Sequence, residues 1–214
     1  MRFTTALALA AALLAAPVSA AEGPTVSDPA QIIDGLTAEG MTALLTEIGA
    51  QKIQVLEETA KSKRMVFFDG DVPFNASIEL CDLRPGKCVA LLLIVIMDGG
   101  NGISLDTINK SNEANLFITA IKGPDGKIAF GRVTIIDGGV TKQNLAMNVA
   151  SFVVTFQQKL KALQNQVVAS TGPSNAYLSS TAPTPLRPVF ATPQEFERFK
   201  AALPNPATTL RRPH

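Results

Sequence analysis

Apolar positions along TAEGMTALLTEIG, residues 37–49, recur at helical spacing, with Met41, Leu44, Leu45 and Ile48 on one face. Thr37 stands where an N-cap belongs and Gly49 closes the run, so the pattern predicts a helix between them. Asp28-Pro29 offers an earlier start of the same kind, a cap followed by proline at the first helical position. The period then shortens. KIQVLE, RMVFFD and FNASIEL read as short strands, punctuated by Asp69-Gly70 and Pro73. In FNASIEL the alternation sends Phe74, Ala76, Ile78 and Leu80 to one face and Asn75, Ser77, Glu79 and Cys81 to a polar one. VALLLIVIM, Val89 to Met97, is apolar throughout and predicts a central strand covered on both sides.

Beyond the glycine-rich DGGNG, the stretch SLDTINKSNEAN predicts a helix capped by Ser104 with Ile108 facing inward. LFITAIKG and KIAFGRVTII then read as two strands joined by a turn at Pro124-Asp125-Gly126. Gly138-Gly139 precede a long helix from about Thr141, on which Leu145, Val149, Phe152, Phe156, Leu160, Leu163 and Val167 form one stripe. The predicted order is α-β-β-β-β-α-β-β-α. It implies an α+β fold whose antiparallel sheet is covered by the N-terminal, middle and long C-terminal helices. The stripe should pack on that sheet, and its near-heptad spacing also suits a homodimer seam.

Composition divides the chain. Between Ala21 and Ala169 there are 13 Lys/Arg against 16 Asp/Glu, whereas from Ser170 onward there are five against two. That C-terminal part also holds eight of the 14 prolines. Its Ser, Thr, Ala and Pro cannot bury enough apolar surface to offset chain entropy, so residues 170–214 are expected to be a largely disordered tail after a domain spanning 21–169. One segment of the tail stands apart, over residues 193–203. Thr192 caps it, Pro193 suits the first helical position and Glu195 completes a capping box. Phe196, Phe199 and Leu203 then make a short apolar stripe, suited to docking on the parent domain or in a partner's groove. Neither part is basic enough to suggest nucleic acid.

Residues 1–20, MRFTTALALAAALLAAPVSA, have the charged start, short apolar run and small-x-small end of a signal peptide cut after Ala20. The expectation is a periplasmic or secreted protein with no membrane span in the mature chain. Export bears on the two cysteines, which sit in CDLRPGKC, Cys81 to Cys88. In an oxidising compartment nearby thiols pair, and Pro85-Gly86 between them is turn chemistry. A disulfide stapling a hairpin is the expectation. A zinc site lacks ligands, because the sole histidine is His214.

Candidate chemistry is sparse. The lone histidine leaves no acid–base or triad arrangement, no nucleophile elbow or phosphate loop occurs, and Asp98 and Asp106 flank a loop too rich in glycine for calcium. No catalytic residue, metal or cofactor is indicated. Asn109 and Asn112, three apart on one helical face, form either a polar contact patch for a partner or a tie between helix and neighbouring backbone.

Taken in order, Cys81 and Cys88, Ile108, Asn109 and Asn112, Asp125-Gly126 and Gly139-Val140-Thr141 resemble the YbjN-type domain family over roughly residues 28–168. That family commonly has an aromatic before the second Asn, where this chain has Ser111. Its members are described as sensory-transduction regulators with a fold similar to type III secretion chaperones. The resemblance implies an interaction module that works by contact. The expected function is therefore an exported, non-enzymatic protein-interaction module, regulatory or chaperone-like, with an unidentified protein partner. The alternative is a small-ligand-binding periplasmic protein, or an enzyme using carboxylate and amide groups alone.

Overall fold

The computed structural model describes residues 23–170 and 186–203. Thr37 does cap a helix, α1 (Ala38–Glu47), its side chain accepting from the backbone N–H of Gly40 at 3.0 Å. Gly49 at φ 86° turns the chain out of it. Asp28-Pro29 starts no helix. Asp28 takes φ 47° and its carbonyl accepts from Gln31 N–H at 3.0 Å, which is a turn. The turn feeds a two-residue strand, β1 (Ile32–Ile33).

Four strands follow in an antiparallel meander: β2 (Gln51–Glu58), β3 (Ser62–Asp69), β4 (Val72–Glu79) and β5 (Ala90–Asp98). β2 is one edge of the sheet. It slips register twice against β3 and carries Lys52, Glu57 and Glu58, devices that discourage pairing with another chain. After a single 3-10 turn, Gly100–Gly102, comes α2 (Leu105–Ala114), capped by Ser104 Oγ on Thr107 N–H at 3.1 Å. A hairpin of β6 (Thr119–Lys122) and β7 (Ile128–Ile135) completes the other side, giving the strand order β2-β3-β4-β5-β7-β6. β8 (Val140–Thr141) pairs with β1 and leads into α3 (Lys142–Ser170).

α3 lies on the sheet. Phe152 and Phe156 meet Phe74 edge-on at 6.1 and 5.5 Å between centroids, and Phe156 meets Phe130 at 5.3 Å. Leu145, Val149 and Leu163 are buried in the same cluster with Met41, Leu44 and Leu45 of α1 and Ile108 of α2. The other face of the sheet has a cover that the expected order lacks. β9 (Arg187–Val189) pairs with the end of β5, where β4 has already diverged, and α4 (Pro193–Ala202) crosses the face. Phe196, Phe199 and Leu203 pack there against Leu92, Ile94, Ile96 and Ala129.

The tail after residue 169, expected to be largely disordered with a short helix over residues 193–203, contains that helix as α4, and the expectation is corrected in that residues 186–203 pack on the sheet as part of the fold. α3 itself runs to Ser170, and the apolar second face of β5 supplies what a short tail helix lacks alone. The polar side of β4 is corrected likewise. Asn75, Ser77 and Glu79 are buried on the α4 side of the sheet, not solvated, and Lys200 of α4 pairs with Glu79 at 2.8 Å. Residues 1–22, which include the expected signal peptide, residues 171–185 and residues 204–214 lie outside the described residues. Among the described residues no helix is long and apolar enough to cross a membrane.

Candidate functional site

β7 is eight residues long and its partner β6 is four. The pairing runs from Lys122↔Ile128 to Thr119↔Gly131 and stops, because the chain turns at Leu116 and Phe117. On that side Arg132 to Ile135 face no strand among the described residues, while β5 pairs with all of β7 on the other side. Alternation decides which backbone groups lie open. Ile136 N–H donates to Val89 O on the β5 side, and Lys127 O accepts from Gly123 N–H on the β6 side. Even-numbered residues thus point to β5 and odd-numbered ones away, leaving N–H and C=O of Val133 and Ile135 directed to the open edge.

The edge separates two hollows. On the α4 side is one of about 350 Å³ walled by Leu116, Phe117, Thr119, Gly131, Arg132, Val133, Ile135 and Leu203. On the α3 side is one of about 420 Å³ walled by Phe117, Arg132, Asn144, Met147, Asn148, Ser151 and Thr155. Apolar side chains are the more numerous in the lining of the first and polar side chains in that of the second, and Phe117 and Arg132 line both. Leu116 and Phe117, which stand between them, are 89% and 67% exposed.

Arg132 is the charged group of this edge. Its guanidinium lies 5.6 Å from the Phe117 ring centroid and donates to Asn148 Oδ1. No carboxylate among the described residues is within ion-pair distance of it, and burial alone lowers its pKa. It stays cationic. Open backbone groups, apolar side chains and a cation with no carboxylate partner among the described residues meet along this edge.

The residues singled out in the sequence lie elsewhere. Asn112 ties α2 to β6: its Nδ2 donates to Ala120 O at 2.9 Å and its Oδ1 accepts from Ala120 N–H at 2.7 Å. Asn109 is exposed and makes no side-chain hydrogen bond among the described residues, so the two amides do not form one patch. Lys159 reaches the same junction, donating to Ile118 O at 2.7 Å and Asn112 Oδ1 at 3.4 Å, and burial lowers its pKa to about 8. Cys81 and Cys88 are disulfide-bonded. Their loop is held to the segment before α1 by Leu36–Cys88 backbone bonds of 2.8 Å in both directions and by the Lys87–Asp34 pair at 2.6 Å, and to the turn after β7 by the Arg84–Asp137 pair at 2.6 Å. Phe196, Phe199 and Leu203, expected to suit either the parent domain or a partner's groove, face their own sheet. No group of three His, Cys, Asp or Glu side chains among the described residues could hold a metal ion.

The sequence reading missed Arg132, Val133 and Ile135. A signal existed in the unequal lengths of LFITAIKG and KIAFGRVTII, which leave the second strand overhanging the first, and in the apolar pair Leu116-Phe117 just before the hairpin.

No family model and no curated protein matches the chain. Among solved structures it is similar to the crystal structure of YbjN from E. coli, at 15% identity and a TM-score of 0.43, over 60% of this chain and 91% of that one. This is a distant likeness of fold.

Proposed function

We propose that the chain is an exported, non-enzymatic interaction module that takes an extended segment of another protein by strand addition at β7. The observation that carries this reading is the pair Val133 and Ile135, whose backbone groups face the open edge between two hollows. An added strand satisfies those four groups, and its side chains, pointing alternately up and down, enter one hollow and then the other. β2, the opposite edge, is bulged and charged, so the two ends of the sheet are not equivalent. The ordered residue set that resembles the YbjN-type family is in keeping with a module acting by contact. Export rests on the leader sequence and on the cysteine pair; N-terminal sequencing of protein from its own cells should begin at Ala21.

Hydrogen exchange followed by NMR tests the edge. In the free chain the amides of Val133 and Ile135 should exchange faster than those of Arg132 and Thr134, which face β5. A peptide of alternating Ser and Val should slow the first pair. Val133 and Ile135 amides already as protected as their neighbours in the free monomer would sink the reading.

A further inference from the structure

The chemistry of the two hollows specifies the segment, granted strand addition at β7. We infer that the partner presents an acidic residue flanked on both sides by apolar residues in an extended stretch. Cross-strand neighbours place their side chains on the same face of a sheet. A partner residue opposite Val133, and another opposite Ile135, therefore point to the α4 side, where Leu116, Val133, Ile135 and Leu203 form the wall. The residue between them, opposite Thr134, points to the α3 side. There it lies diagonal to Arg132, within the roughly 7–8 Å that a long side chain spans across a strand pair.

Arg132 decides what that middle residue is. Its guanidinium is stacked on Phe117, tied to Asn148 and half-buried, with no carboxylate paired to it among the described residues. A held arginine loses little rotamer freedom on binding and presents its remaining N–H donors to a carboxylate. A lysine in the partner would meet like charge in a partly desolvated site, and an apolar residue would leave the cation unpaired against the new strand. Asn144, Ser151 and Thr155 supply further polar groups on the same wall. A second copy of this chain fits the hollows less well: its own overhang, Arg132 to Ile135, would bring a second arginine to the first.

Titration of the full mature chain with three peptides tests this by NMR. The first is Ser-Val-Asp-Val-Asp-Val-Ser, the second replaces both Asp by Ser, and the third is the first with its edge-facing amides N-methylated. The acidic peptide should bind roughly tenfold tighter than the neutral one, about the contribution of one charge-assisted hydrogen bond. Shifts should centre on Val133 and Ile135. R132Q should erase the tenfold difference between the acidic and the neutral peptide. The N-methylated peptide should not bind. Equal binding of acidic and neutral peptides would overturn the acidic pattern and leave strand addition standing. Binding of the N-methylated peptide, or of none of the three, would overturn both. A chain that is dimeric in solution, with Val133 and Ile135 protected until peptide releases a monomer, would give the edge to a second copy and overturn the partner class.

Discussion

Asn109 and Asn112 stand one helical turn apart and do different things. Removing Asn112 leaves the N–H and C=O of Ala120 without their partners, so Asn112→Ala should cost about 2–4 kcal/mol of folding stability. Asn109→Ala, on an exposed face, should stay within about 0.5 kcal/mol. Denaturant midpoints of the two variants separate the roles. Lys159 brings a pH dependence to the same junction. Unfolded, its amine holds a proton up to about 10.5; folded, burial makes it release that proton near 8. Between those values the unfolded chain binds more protons, so stability should rise with pH and level off above the window. Lys159→Met should flatten that rise, which urea midpoints measured across the window would show. The sequence displayed both amides and their shared face. It did not display that Ala120 lies under one of them, because the partner is a backbone group brought in by the next strand. Lys159 was invisible for a related reason: a lysine among Phe156, Leu160 and Leu163 reads as a solvated helix position until the turn at Ile118 covers it.

The elements were legible where one segment carries its own signal. Thr37, Ser104 and Thr192 cap the helices that their spacing predicts, and the capping box of Thr192 with Glu195 is formed in full. Where α4 goes was not legible. VALLLIVIM announced a strand needing cover on both faces, yet only the fold shows that the second cover comes from the proline-rich end. Two kinds of contact hold α4 there. Of its ion pairs, Arg198 to Asp125 at 2.8 Å lies within reach of solvent and is worth little, whereas Lys200 to the buried Glu79 at 2.8 Å and Lys127 to Glu195 are more sheltered. Phe196 and Phe199, 2% and 1% exposed, dominate. Phe196→Ala or Phe199→Ala should each cost about 3–5 kcal/mol, as should Phe152→Ala or Phe156→Ala on the opposite face. A chain ending at residue 185 should melt many degrees lower, where a free tail would leave the melting temperature unchanged. Thermal unfolding of that truncation decides between them. The overhang of β7 was half legible, since strand lengths can be compared but a register cannot be fixed from one sequence.

At the scale of the molecule, the sheet is closed by parts that come from far apart in the chain. The Cys81–Cys88 bridge spans the β4–β5 connection locally, and reducing it should cost about 2–3 kcal/mol, read as a lower urea midpoint under reductant. β9 is the opposite case: it pairs with β5 across the whole of α2, β6, β7, β8 and α3. Until residues 186–203 have left the ribosome, Leu92, Ile94 and Ile96 keep one bare side, and at about 5–20 residues per second that interval is on the order of ten seconds. The fold is thus timed by residues 186–203. If the chain is exported as proposed, by threading a membrane channel unfolded, a sheet that cannot be finished early keeps the nascent polypeptide slack until residues 186–203 have been made.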